Sequence, residues 1–166
     1  MPEIQQLRAG DTISYSGPFS LSGIRRVIDG WFDRYDYDRD KVLDEEIVKR
    51  DHKQCTVVFE AKKGMNDYAD MIIEVTLTVQ NMKDIVVDVD GRDMHVKEGD
   101  VEVSITSFLQ TDTAGKYDDS PLTYFFRFIA EKWFYSSYID KWAATVHDHR
   151  RALKRDINEY LNKEIV

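Results

Sequence analysis

ADMIIEVTLTVQ, residues 69–80, decides the architecture. Ala69, Met71, Ile73, Val75, Leu77 and Val79 are apolar at every second position, with Asp70, Ile72, Glu74, Thr76, Thr78 and Gln80 between them. A period of two over so long a run belongs to a strand with one dry face and one wet face. A helix would place its apolar residues three and four apart.

The same period spreads to both sides. Cys55, Val57, Phe59 and Ala61 alternate with polar neighbours, and so do Val101, Val103 and Ile105. DIVVDVDG (84–91) reads as a strand ending in an Asp-Gly turn, with DMHV (93–96) able to pair back on it. NMKD, DGRD and KEGD supply turn residues. Lys41–Lys49 reads as an edge strand, with a short helix as the alternative. Short turns between one-sided strands predict an antiparallel meander of about five or six strands, one face against helices and the other in water.

Helical spacing brackets this meander. Leu21, Ile24, Val27, Ile28, Trp31, Phe32 and Tyr35 share one face, with Ser20 or Ser22 able to cap the start. Ser120 followed by Pro121 opens a second helix, expected to run to about Phe134. After a break at YSSY (135–138), a third helix is expected over about 139–162, marked by Trp142, Val146, Leu153, Ile157 and Leu161. His149 and Arg150 interrupt that stripe, and a stripe so narrow predicts packing against one neighbour. The expected fold is therefore α+β: one N-terminal helix and two C-terminal helices packed on one face of the meander. It forms a single domain over residues 1–166, with the last helix free to project. The order helix, meander, long helix resembles the START-like (helix-grip) architecture in layout alone. That resemblance implies an apolar cavity between sheet and helices.

Composition narrows the function classes. A chain of 166 residues with 42% hydrophobic and 33% charged residues can build one core. The net charge is −8, unevenly spread: residues 1–120 hold 15 basic against 25 acidic side chains, and residues 121–166 hold 8 against 6. An acidic body repels phosphate backbones and anionic lipid, so nucleic-acid binding is disfavoured. Arg150, Arg151, Lys154 and Arg155 read as a solvated helix face. The single Cys55 rules out an internal disulfide and a cysteine metal site, and its place on the dry face predicts a buried thiol. The N-terminus lacks a basic start and an apolar run, so no signal peptide is expected. The longest apolar stretch, PLTYFFRFIAEKWFYSSYI, is broken by Arg127, Glu131 and Lys132, so no span is expected either. A cytoplasmic location follows as the expectation.

DYDRDKVLDEE (36–46) raises calcium. With Asp36 first, Asp38 and Asp40 take the third and fifth loop positions and Leu43 the eighth, and Ile28, Trp31, Phe32 and Tyr35 resemble the helix that precedes an EF-hand loop. The sixth position, which needs Gly, is Lys41. The twelfth, which needs a bidentate Glu, is Ile47. A solvated acidic loop fits better, with Asp36, Asp38 and Asp40 a candidate for weak calcium binding only.

No other motif carries chemistry. His147 and His149 stand two apart, which on a helix turns them away from each other and from any shared metal. There is no nucleophile elbow and no phosphate-cradling glycine loop. No catalytic residue and no cofactor are assigned. Nine aromatics crowd residues 124–142, nearly circling a helix axis. Trp133, Tyr135, Tyr138 and Trp142 cluster around the expected break and are the candidate partner-binding residues, since Trp and Tyr are favoured contacts. The expected function is a non-catalytic binding or assembly protein acting on a protein partner or a second copy. The alternative is a small-molecule-binding domain with an apolar ligand between sheet and helices.

Overall fold

A computed structural model of the chain describes residues 3–48, 53–65, 69–111 and 136–163. The elements follow in the order β1 (Glu3–Phe19), α1 (Leu21–Arg34), β2 (Asp38–Val48), β3 (Lys53–Gly64), β4 (Ala69–Val89), β5 (Arg92–Thr111) and α2 (Ser136–Asn162). Among the described residues the strands form one five-stranded sheet in the order β1-β5-β4-β3-β2, antiparallel throughout.

The alternation at 69–79 does what its period requires. Ala69, Met71, Ile73, Val75, Leu77 and Val79 are fully buried, together with Val57 and Ala61 on β3 and Val103, Ile105 and Leu109 on β5. Ile24, Ile28, Trp31 and Phe32 of α1 and Val146, Leu153 and Ile157 of α2 join the same cluster. At about 1.5–3 kcal/mol per fully buried large apolar side chain, this shared face dominates folding.

Expectation and structure part at three places. Two C-terminal helices were expected; among the described residues there are two helices in all, α1 and the single C-terminal α2. The expected helix to Phe134 lies outside the described residues, and YSSY does not separate two helices, because α2 already begins at Ser136. An aromatic run without a clean period of 3.6 or 2 does not specify a helix. Second, Glu3–Phe19 is a strand that sequence reading passed over. It pairs with β5 from Glu3↔Thr111 to Phe19↔Lys97, but its period is broken by register shifts between Gln6 and Asp11. Third, four strands are expected where β4 and β5 are two continuous ones of 21 and 20 residues. The turn-like residues at Asn81 and Gly99 mark a bulge, not chain reversals.

That bulge lies between Gln80↔Asp100 and Lys83↔Glu98. Asn81 takes a positive φ of 53°. A Cβ on Gly99 would sit 2.8 Å from the Gln80 carbonyl, so only glycine lets the strands approach there. Asn81 Nδ2 and Ser16 Oγ donate to the two oxygens of Asp100 at 2.7 Å each. The Ser16 bond first, and the Asn81 bond second, hold that carboxyl below its ordinary range. Past the bulge β4 and β5 continue as a two-stranded arm, closed by Asp90–Gly91, both with positive φ as a two-residue hairpin turn requires. Asp88 Oδ1 accepts from the Gly91 N–H at 2.8 Å.

Helix α1 is capped by Ser20, whose Oγ accepts from the Gly23 N–H at 3.1 Å. It ends in a Schellman arrangement: the Tyr37 N–H donates to Phe32 O at 2.9 Å, the Asp36 N–H to Asp33 O at 3.4 Å, and Asp36 sits at φ 55°. The stripe of α2 is wider than its apolar letters suggest. Val146, Arg150, Leu153, Ile157 and Leu161 are all buried, so Arg150 completes the stripe. It belongs to the interior, whereas Arg151 and Arg155 are on the solvated face as expected.

Candidate functional site

The end of β1, the start of α1 and the outer half of β5 together shape a cleft of about 630 Å³. One wall is Phe19 at the end of β1 and Ser20, Leu21, Ser22 and Arg25 in the first turns of α1. The opposite wall is Met94, His95, Val96 and Lys97 on the outer half of β5, and Tyr160 closes one side from the last turn of α2. Phe19 and Lys97 are directly paired, so the floor is continuous with the sheet. Gly23 permits the closure by Tyr160: a Cβ there would overlap the Tyr160 hydroxyl.

The lining has two characters. Phe19, Leu21, Met94, Val96 and the Tyr160 ring are apolar, and Met94 stays 46% exposed. Arg25, Lys97 and His95 are basic, Ser20 and Ser22 supply hydroxyls, and no acidic side chain lines the cleft. Arg25 Nη2 donates to Asp44 Oδ2 at 2.6 Å. Its Nε is buried and has no hydrogen-bond partner among the described residues. The buried Cys55 thiol is pushed up chiefly by burial and then by Asp44, against the opposing pull of Arg25 and Lys97. Both cations therefore lie within electrostatic reach of one buried sulfur. The volume falls within the range of small-molecule sites, and apolar walls with a few convergent polar groups are their usual construction.

Two further clusters hold α2 in place. His149 Nδ1 is 2.9 Å from the Tyr37 hydroxyl and its ring lies edge-on to Trp31, Tyr35 and Tyr37. Burial raises the Tyr37 phenol far above its ordinary range, so it keeps its proton. Burial first, then Lys63, lowers His149 against the opposing effect of Asp148. On the other side, Arg150 reaches Asp11 on β1, Ser107 Oγ at 3.2 Å and His147 Nδ1 at 2.8 Å. His147 and His149 thus serve different clusters, as their helical spacing requires.

Of the candidate partner-binding residues, Trp133 and Tyr135 lie outside the described residues. Tyr138 is 53% exposed on the first turns of α2, and Trp142, partly buried, packs against the core with its ring 6.0 Å from that of Tyr138. Of the calcium candidates, Asp36 is in the turn after α1 and Asp38 opens β2, both exposed. Asp40 falls at a register shift in that strand. Among the described residues no group of three or more His, Cys, Asp or Glu side chains could hold a metal ion. No helix among them is long and apolar enough to cross a membrane.

Sequence reading missed the cleft. Its lining comes from residues 19–25, 94–97 and 160, three segments that only the pairing of β1 with β5 and the seating of α2 bring together. The one local signal was Met94 and Val96, apolar residues on a strand otherwise rich in charge. No protein-family model, curated protein or solved structure matches the chain.

Proposed function

We propose that this chain is a non-catalytic binding domain for a small molecule with an apolar body, held in the cleft between α1, the outer half of β5 and the end of α2. The observation that carries the reading is the cleft itself, about 630 Å³ with apolar walls and a few polar side chains among them. The layout of one long helix across one face of an antiparallel sheet accords with the helix-grip resemblance. Methyl NMR spectra of the chain, recorded against a library of small apolar molecules, test it. Binding should shift the Leu21, Met94 and Val96 methyls while leaving Val57 and Leu77 in place. Absence of shifts at the first three across the library removes the reading.

A second reading is favoured by the exposure of Tyr138 next to Trp142. Here the start of α2 is a contact surface for a protein partner or a second copy of the chain. Light scattering after size exclusion separates it from the first, because ligand binding in the cleft needs no change of mass.

A further inference from the structure

We infer that the cleft selects an amphipathic anion, with a carboxylate at Arg25 and Lys97 and an apolar chain along Leu21, Met94 and Val96. The inference rests on the reading that the cleft is a ligand site, and it adds the chemical class of the ligand.

The charge pattern is the first argument. The chain holds 31 acidic side chains against 23 Lys and Arg, yet the cleft is lined by two of those cations, Arg25 and Lys97, and by no acidic side chain. Inside an acidic body, a cationic recess with apolar walls concentrates small anions and repels cations. The first turn of α1, which forms one wall, carries no acidic residue to compete.

The second argument is the state of Arg25. Its guanidinium gives one Nη–H to Asp44, an acid half exposed to solvent, and leaves the Nε–H without an acceptor. An ion pair so exposed is weakly held. The side chain is 31% exposed and lines the cleft, so a ligand carboxylate can compete with Asp44 for the Nη side of the guanidinium fork in a charge-assisted bond. Neutral or cationic head groups have no such partner. The third argument is Met94, a large apolar side chain left 46% exposed on the cleft wall, which an aliphatic chain would cover.

Octanoate, 1-octanol and octyltrimethylammonium share one chain and differ in the head, so they separate the two claims. Titrated into the full chain and read from the Met94 and Val96 methyls, octanoate should bind at least about tenfold tighter than either of the others. Arg25→Gln should remove that preference and leave octanol binding unchanged. Arg25→Lys should restore part of it, since the charge returns without the fork. The octanoate affinity should also fall with added salt. If none of the three probes shifts those methyls, the cleft reading and this inference fall together. If octanol binds as tightly as octanoate, or if the double variant Arg25→Gln, Lys97→Gln keeps the preference, the inference is overturned while the cleft remains a site.

Discussion

Arg150 Nε lies 2.9 Å from Asp11 Oδ2, although only 2% of Arg150 meets solvent. This pair ties the middle of α2 to β1. The register shifts before Asp11 bring β1 to that point, and a Cβ on Gly10 would sit 2.9 Å from Thr106 Oγ1. The pair is an ionic contact out of hydrogen-bond geometry at Nε, so the other two nitrogens, on Ser107 and His147, complete the hold.

Removing one member of such a pair strands a charge. Asp11→Ala should destabilise the chain by about 2–4 kcal/mol, measured by urea denaturation. Replacing both, as Asp11→Ala with Arg150→Met, should cost less than Asp11→Ala alone, because methionine fills the space without a buried charge. A double variant less stable than the single one would show that the guanidinium is held by its other partners.

Stability should fall as the solution is acidified through the histidine range. His149 is lowered in the folded state, so the unfolded chain binds more protons there. Its contribution is fully present above the unfolded value of about 6.5 and is lost as pH falls through the folded one. His149→Gln should flatten this limb in denaturation curves compared at pH 8 and pH 5.

One substitution should act in opposite directions at two glycines of α1. Gly30 has nothing within 4 Å of an added Cβ, so Gly30→Ala should stabilise by about 0.5–1 kcal/mol through helix propensity. Gly23→Ala would press on Tyr160 and should destabilise by about 1–3 kcal/mol. In a Tyr160→Leu background the Gly23→Ala loss should shrink. Thermal melts of the four variants decide the matter.

At the other end of α1, Asp36 holds a left-handed conformation that glycine adopts without strain. Asp36→Gly should therefore raise stability, by about 1 kcal/mol at most. A loss would mean that the aspartate side chain makes a contact that offsets its backbone strain.

If the start of α2 is an assembly surface, Trp142→Ala should weaken self-association or partner binding more than it harms the fold. Tyr138→Ala, at a more exposed position, should leave stability within about 0.5 kcal/mol. Equal losses of assembly and stability in Trp142→Ala would reduce that tryptophan to a packing residue.

The fold was legible wherever a period was unbroken. Residues 69–79 and 55–61 announced their buried faces, and α1 its stripe. What escaped notice lay at positions where chemistry and period disagree. Gly99 and Asn81 resemble turn formers but serve a bulge, so one long hairpin reads as two. β1 hid its alternation behind register shifts. Arg150 was counted with the solvated charges because a local pattern cannot show that Asp11, 139 positions earlier in the chain, waits inside. The cleft was illegible for the same reason: its walls meet only in the folded chain.

The two-stranded arm beyond the bulge has a consequence for motion. Among the described residues, β3 stops pairing with β4 at Met82, and β1 stops pairing with β5 at Lys97. From there to the Asp90–Gly91 turn each strand has a single neighbour, and an isolated hairpin is barely stable in water. Amide hydrogens of residues 84–96 should exchange with deuterium long before those of 71–79, as the least cohesive unit opens first. Met94, His95 and Val96 ride on that loosely held ladder, so the mouth they border can widen or narrow while the protein beneath stays folded.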